Sequence, residues 1–529
     1  MRVVLIRPVY YTSRYDPEVQ EALGMGALAA YLRSFGIKVL LLDPLLSGQN
    51  ETTTIKRAVS FAPEVVGFSL MSSGDLASTR RLIAGIRAKI PEVSIVVGGN
   101  WISTEPQNAL NHLPAGTACF KYEGELPLLS FLNALSSRRP LSNVPSMIIK
   151  DPEGTLLHTE NAEVIEDLDV LPFAVRDYLE QLVRLHRAVN IQGSRGCFGT
   201  CRYCCEPGFP RASASRWRGH SPEYIAEEIN SITKVSTARY FNFVDDDFLG
   251  PDAKAESRSS KFLYEITRRR LRIAFGIQAR PSTLKPEVIK ALAQAGLCYV
   301  FLGIESDDRQ VLRKWGRSQD SIEMEDVVKN LRSYAIEVQA GYIPFHQYAT
   351  LESIKRQAEY ICRLDLLNYR TATNRLLLLP GSLMYREMLQ TRSGKDILPG
   401  PFPSELKDDV RSLYEMLATT LEPLRPAWVH AAAAFPAIDA EARLTANRDS
   451  ASRLDMLQNV LGCLNLHIKK VLFSLLEQME KGSHQIKNQE LLYRQSLDLG
   501  MNAAQELFRA GLVSSPEVIH EAMRKDCGV

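Results

Sequence analysis

Excess charge is nearly absent from this chain: 63 lysines and arginines stand against 61 aspartates and glutamates, a formal net charge of +2. That balance gives no electrostatic footprint for nucleic acid or for an anionic membrane surface. No run approaches the ~18 apolar residues of a membrane span. The most apolar candidate, Ala427 to Ile438, is interrupted by His430 and Pro436. Nine cysteines in 529 residues are too sparse for a disulfide scaffold. The opening Met1-Arg-Val-Val-Leu-Ile-Arg-Pro8 lacks the apolar length and small-residue cleavage site of a leader, and reads as a first strand. Fixed-period repeats and low-complexity tracts are missing too. These absences predict a reducing, cytoplasmic setting, with no nucleic acid or membrane partner and with clustered cysteine available to a metal.

What is present exceeds one hydrophobic core, so two or three domains are expected. Residues 1–135 alternate short β-branched runs (Val3–Ile6, Lys38–Asp43, Val65–Ser69, Ser94–Gly98, Ala118–Tyr122) with helical patterns. Fully apolar strands separated by helices indicate an α/β domain built on a doubly wound, flavodoxin- or Rossmann-like parallel sheet. Ligands bind beyond the carboxyl ends of such strands. Small or polar residues stand there: Ser69, Leu70 and Met71, then Gly98 and Gly99, then Glu123, Gly124 and Glu125. Residues 136–187 read as a connector punctuated by Pro140, Pro145, Pro152 and Pro172, with a hairpin turn at Asp151-Pro-Glu-Gly154. From 188 to 400 six strand candidates alternate with helices, the last being Arg375–Leu379. Six units, against the eight of a closed barrel, predict an open, partial (β/α)6 barrel. Residues 401–529 form a helical region, with Leu454, Leu457, Leu461, Leu464, Ile468, Val471, Leu475 and Met479 in one apolar stripe.

The chemistry concentrates in Gly193-Ser-Arg-Gly-Cys-Phe-Gly-Thr-Cys-Arg-Tyr-Cys204, directly after the first strand of the second domain. Cysteine thiolates are the usual iron–sulfur ligands. Cys197, Cys201 and Cys204 are spaced to wrap three corners of a cubane, leaving the fourth iron for a small molecule. Zinc usually takes four ligands in paired form, and no second pair exists. A redox pair of Cys201 and Cys204 leaves Cys197 unexplained. Cys205 is not needed by the spacing.

The triplet resembles the CxxxCxxC signature of the radical S-adenosylmethionine superfamily. The resemblance implies a [4Fe–4S] cluster on the three cysteines and S-adenosylmethionine on its free iron. It places Tyr203 beside the adenine, Asp245 or Asp246 at the amino group, Glu305 at the ribose, and Gly341 and Ile343 in support of the adenine. Gln278, just past the third strand, joins this set. Leu379-Pro-Gly381 follows the sixth strand, and His346, Gln347 and Tyr348 fall on a loop where substrate contacts are expected. The first 135 residues resemble the cobalamin-binding domain of cobalamin-dependent radical enzymes, through Arg7-Pro8, Leu23–Leu32, Gly67–Ser69, Gly98-Gly99 and Tyr122–Glu125. Many such domains carry a cobalt-ligating histidine after the first strand. Here Tyr10-Tyr-Thr-Ser-Arg-Tyr-Asp16 has none, and the first histidine is His112. The implied cobalamin therefore lacks a histidine lower ligand, with Leu70 and Met71 beneath the corrin.

Together the resemblances imply reductive cleavage of S-adenosylmethionine by an external flavodoxin- or ferredoxin-like electron donor. They also imply methyl transfer to a carbon of a small-molecule natural product. Cobalamin-dependent cyclisation or rearrangement and non-radical methyl transfer are the alternatives. Methylthio-transfer to RNA would call for a second cysteine trio, which is missing.

Overall fold

The computed structural model describes residues 1–8, 20–150, 155–185, 187–206, 216–317, 324–391, 401–445, 447–481, 489–513, 516 and 519. Tyr10–Asp16 and the turn expected at Asp151–Gly154 lie outside the described residues. The early apolar runs pair in parallel as β1 (Arg2–Ile6), β2 (Lys38–Leu42), β3 (Val65–Ser69), β4 (Ser94–Gly98) and β5 (Thr117–Phe120), in spatial order 2-1-3-4-5. Val4, Ile6, Val66 and Val97 pack on Ala58, Leu82, Ile83 and Ile86 from helices Glu51–Ser60 and Leu76–Arg87. On the other face Val3, Leu5, Val65 and Val96 meet Met25, Ala29, Leu32, Leu128 and Phe131 from helices Leu23–Ser34 and Glu125–Ser137. Burial on both faces explains why these strands read as continuous apolar runs. Strand order reverses between β1 and β3, which opens a crevice at their carboxyl ends.

The connector expected at 136–187 is corrected in part. β6 (Met147–Lys150) and β7 (Leu156–His158) add antiparallel to β5, making seven strands. Met147 and Ile148 are fully buried, and that burial outweighs the surrounding prolines.

The second sheet has five parallel strands rather than six. In spatial order they are β14 (Glu337–Tyr342), β13 (Leu297–Glu305), β12 (Ala274–Ala279), β11 (Tyr240–Phe243) and β8 (Val189–Ile191). A short ladder of β9 (Ser194–Arg195) with β10 (Arg218–Gly219) follows β8. The sixth run contributes one parallel bridge, Phe345 to Arg375, and then β15 (Leu377–Leu378) turns to pair antiparallel with β16 (Phe402–Pro403). Pro344 withdraws a backbone donor where that strand would join β14.

The last third is helical: Asp408–Leu421, Arg425–Thr445, Arg448–Glu480 and Gln489–Arg509. Leu457, Leu464, Ile468, Val471, Leu475 and Met479 are buried in one core with the neighbouring helices, while Leu454 and Leu461 are half-buried. By length and composition alone Arg448–Glu480 is long and apolar enough to cross a membrane, nearer to a span than the sequence suggested, while its buried leucines pack into the helical core.

Candidate functional site

A cavity of about 550 Å³ lies between the carboxyl ends of the first sheet and the loops after β8 and β11. Ser69, Met71, Gly98, Gly99, Glu123, Gly124 and Glu125 all line it, as the sequence predicts. Leu70 does not, and its expected place beneath a ligand is corrected. It is fully buried in the core with Phe68, because residues two apart on a strand face the same side. Met71, 65% exposed, lines the cavity without it. Gly99 has φ +104, and a Cβ there would stand 2.4 Å from the Leu70 carbonyl oxygen. Gly99→Ala is expected to cost about 2–4 kcal/mol through strain and overpacking, read by urea unfolding.

Glu123 and Glu125 reach the cavity but are already paired across the domain boundary. Arg195 donates to Glu123 at 3.0 Å and to Glu125 at 2.6 Å. Arg218 also pairs with Glu123 and donates to the Ile165 carbonyl at 2.5 Å. Burial raises the Glu123 carboxyl, but Arg218 and Arg195 outweigh it and hold it below its ordinary range. Burial opposes the Arg195 charge, yet Glu125 and Glu123 hold its pKa above the usual guanidinium value. The sequence reading missed both arginines, although Arg195 sits inside the cysteine segment.

Asp245 and Asp246 separate cleanly. Asp245 is 2% exposed, accepting from the Gly193 amide at 3.0 Å and from the Ser194 hydroxyl. It anchors the start of the cysteine loop and does not line the cavity. Asp246 is exposed and does line it. Burial pushes Asp245 from an ordinary 3.8 up to about 6, against the bonds from Ser194 and Gly193. A carboxyl with a raised folded pKa stabilises the fold fully below its unfolded value and loses that contribution as pH rises through the folded one. Relative to Asp245→Asn, which does not titrate, wild-type apoprotein should therefore lose about 2–3 kcal/mol between about pH 4 and pH 7. Urea unfolding across that range measures it, and a flat difference would contradict it.

In the cysteine loop a Cβ at Gly199 would come 3.3 Å from the Cys197 sulfur and 3.7 Å from the Cys201 sulfur. Glycine thus keeps room between two thiols. Among the described residues no three His, Cys, Asp or Glu side chains converge closely enough for a single ion. Three thiols on one short loop, spread around a glycine, fit the wider corners of an iron–sulfur cubane. Burial pushes Cys197 up to about 11, so its thiolate is favoured only beside a cation or metal.

Beside Cys201 stands Arg317, which the sequence reading also missed. Its guanidinium lies 3.9 Å from the Cys201 sulfur, 3.2 Å from the Tyr203 hydroxyl and 3.2 Å from Glu305, and donates to the Gly303 carbonyl at 2.7 Å. Burial pushes Glu305 up while Arg317 pulls it down. Tyr203 packs edge-on to Trp315, with ring centroids 5.4 Å apart. A Cβ at Gly341 would stand 3.1 Å from the Phe301 ring and 3.5 Å from the Glu305 carboxylate. The Ile343 amide donates to the Glu305 carbonyl at 2.9 Å. Tyr203, Glu305, Gly341 and Ile343 are therefore brought together, and Gln278 stands exposed at the end of β12. His346, Gln347 and Tyr348 do not line the interdomain cavity. His346 is 1% exposed and packs on Trp315 at 5.1 Å, a core position rather than the expected substrate contact.

Residues 191–361 match the Radical SAM superfamily and residues 17–132 match the B12 binding domain. The chain is accordingly a cobalamin-dependent radical S-adenosylmethionine enzyme. It is similar to an uncharacterized methyltransferase of Pyrococcus horikoshii, 24% identical over 69% of this chain and 79% of that protein. It is also similar to 4'-phospho-dehydrooxetanocin synthase of Priestia megaterium, 25% identical over 65% of this chain but only 49% of that protein. Its fold matches that of the cobalamin-dependent S-adenosylmethionine radical enzyme OxsB with aqua-cobalamin bound, with TM-score 0.75 and 16% identity over 99% of this chain and 83% of that one.

Proposed function

We propose that the enzyme transfers a methyl group to a carbon of a small natural-product substrate. The observation that carries this reading is the single cavity onto which both the strand ends of the first sheet and the loops around the cysteine segment open. The methyltransferase name of one relative supports it. When bound, the cluster with S-adenosylmethionine supplies one-electron cleavage, and cobalamin supplies a transferable methyl group.

The chain's own residues bind and orient. Cys197, Cys201 and Cys204 hold three irons. Tyr203, Gln278, Glu305, Gly341 and Ile343 frame S-adenosylmethionine, and Asp246, the exposed member of its pair, takes the amino group. Ser69, Met71, Gly98, Gly99 and Gly124 would seat the corrin. Arg195 and Arg218 tie the two domains together and so fix the distance between the cofactors. The electron donor is a flavodoxin- or ferredoxin-like protein. All eight described cysteines are free, which supports a reducing, cytoplasmic setting.

Methyl-labelled S-adenosylmethionine tests the reading without knowledge of the substrate. Reconstituted anaerobically with reduced cobalamin, the enzyme should move the label onto its bound cobalamin. Cleavage to 5′-deoxyadenosine with no label on cobalamin would favour ring formation instead, the reading that the synthase relative supports.

A further inference from the structure

The interdomain cavity contains a histidine from the second domain. His220 follows β10, lines the cavity and is 4% exposed. Its position is fixed from several sides. The backbone amide donates to the Gly193 carbonyl at 2.9 Å, and Arg258 donates to the His220 carbonyl at 2.7 Å. The imidazole stacks on Tyr224 with centroids 4.1 Å apart and planes 12° apart. The Tyr224 hydroxyl is itself held by the Leu171 carbonyl at 2.9 Å.

Nδ1 stands 2.9 Å from an Asp169 carboxylate oxygen. That carboxylate also accepts from the Ser221 amide at 3.1 and 3.3 Å. An ionised carboxylate can only accept, so Nδ1 carries the proton and Nε2 keeps its lone pair. Nε2 has no partner among the described residues. Unlike the unpartnered, sealed Nε2 of His346, it is not shut off from solvent, and His220 lines the cavity. Burial, aided by Arg195 and Arg258, holds the imidazole down to about 4 against Asp169, so the ring stays neutral. The cavity thus presents a rigid, neutral hydrogen-bond acceptor. Of its neighbours, Arg195 pairs with Glu123 and Glu125, and Arg218 pairs with Glu123 through its terminal nitrogens while its Nε has no partner among the described residues.

We infer that His220 Nε2 accepts a hydrogen bond from a primary amide on the rim of bound cobalamin, with Asp169 fixing the tautomer. This makes His220 a positioning residue through which the second domain grips the corrin, and it rests on the cobalamin reading above. A primary amide is the complementary partner because it offers an N–H to a neutral acceptor. A carboxylate or phosphate would be repelled by the lone pair.

The test is equilibrium binding of hydroxocobalamin to the full chain carrying its reconstituted cluster. His220→Phe keeps the ring and its stacking but removes the nitrogen. Asp169→Asn can still accept from Ser221 while donating to Nδ1, which turns Nε2 into a donor. Each should weaken binding by about 5- to 10-fold, the worth of one hydrogen bond, with iron content unchanged. His220→Gln, which retains an acceptor, should recover part of the loss. Binding within twofold of wild type in both His220→Phe and Asp169→Asn overturns the inference. So does a nitrogen splitting in the spectrum of wild-type bound cob(II)alamin that vanishes in His220→Phe, because the imidazole would then ligate cobalt. Wild-type protein that binds no hydroxocobalamin at all would sink the functional reading, and this inference with it.

Discussion

Cys201→Ala is expected to abolish iron–sulfur absorbance and S-adenosylmethionine cleavage while leaving cobalamin binding largely intact. On the proposed reading three thiolates from one loop would hold three irons, so losing the middle one leaves two ligands for a cluster that needs three. Cys205 is no substitute. It stands next to Cys204 in the chain, whereas the Cys201 sulfur is the one set 3.9 Å from the Arg317 guanidinium, whose other bonds run to Tyr203, Glu305 and Gly303. The side of the cavity proposed to take cobalamin comes from Ser69, Met71, Gly98 and Gly99 on the other sheet, and among the described residues no side-chain bond from Cys201 reaches it. Iron and sulfide analysis after anaerobic reconstitution reads the first effect, and hydroxocobalamin titration the second. A variant with full iron content would mean that the triplet is not the ligand set.

Arg195→Ala should cost about 3–5 kcal/mol, the usual consequence of leaving a buried charge without its partner. Arg195 and Glu125 side chains are only 12% and 8% exposed. Glu123 keeps Arg218, but Glu125 keeps no other ion pair among the described residues. Adding Glu125→Gln to Arg195→Ala should therefore recover part of the loss, because the second change removes the stranded charge. Urea unfolding of the single and double variants, run as a cycle, gives the coupling. A single-variant loss below about 1 kcal/mol would show the carboxylates rehydrating in the cavity.

What the sequence made legible was local. Three thiols within eight residues and β-branched runs between helical patterns are visible in short windows. The strand ends at Ser69, Gly98 and Glu123 follow from them. Contacts that tie distant segments were not visible. Arg195 meets Glu125 across 70 positions, and Arg317 meets Cys201 across 116. No periodicity records such pairings. Leu70 was misread for a different reason, since the two-residue period already put it on the core face with Phe68. The sixth strand was overcounted because the leucine run at 376–379 has strand character, while the donor missing at Pro344 is felt only when two edges meet. Asp245 and Asp246 are chemically identical neighbours, and only packing against Gly193 and Ser194 tells them apart.

The antiparallel strands β6 and β7 bear on how the first domain can be handled in isolation. A truncation at residue 135 would strip them away and bare the edge of β5, all four of whose residues are buried. An open apolar edge is a template for aggregation. The Ser146 amide bonds to the Glu160 carbonyl at 2.6 Å, and the Ala162 amide bonds to the Ser146 hydroxyl at 2.8 Å. A recombinant fragment that ends beyond Ala162 therefore keeps β6 and β7 over that edge, where one that ends at residue 135 leaves it bare.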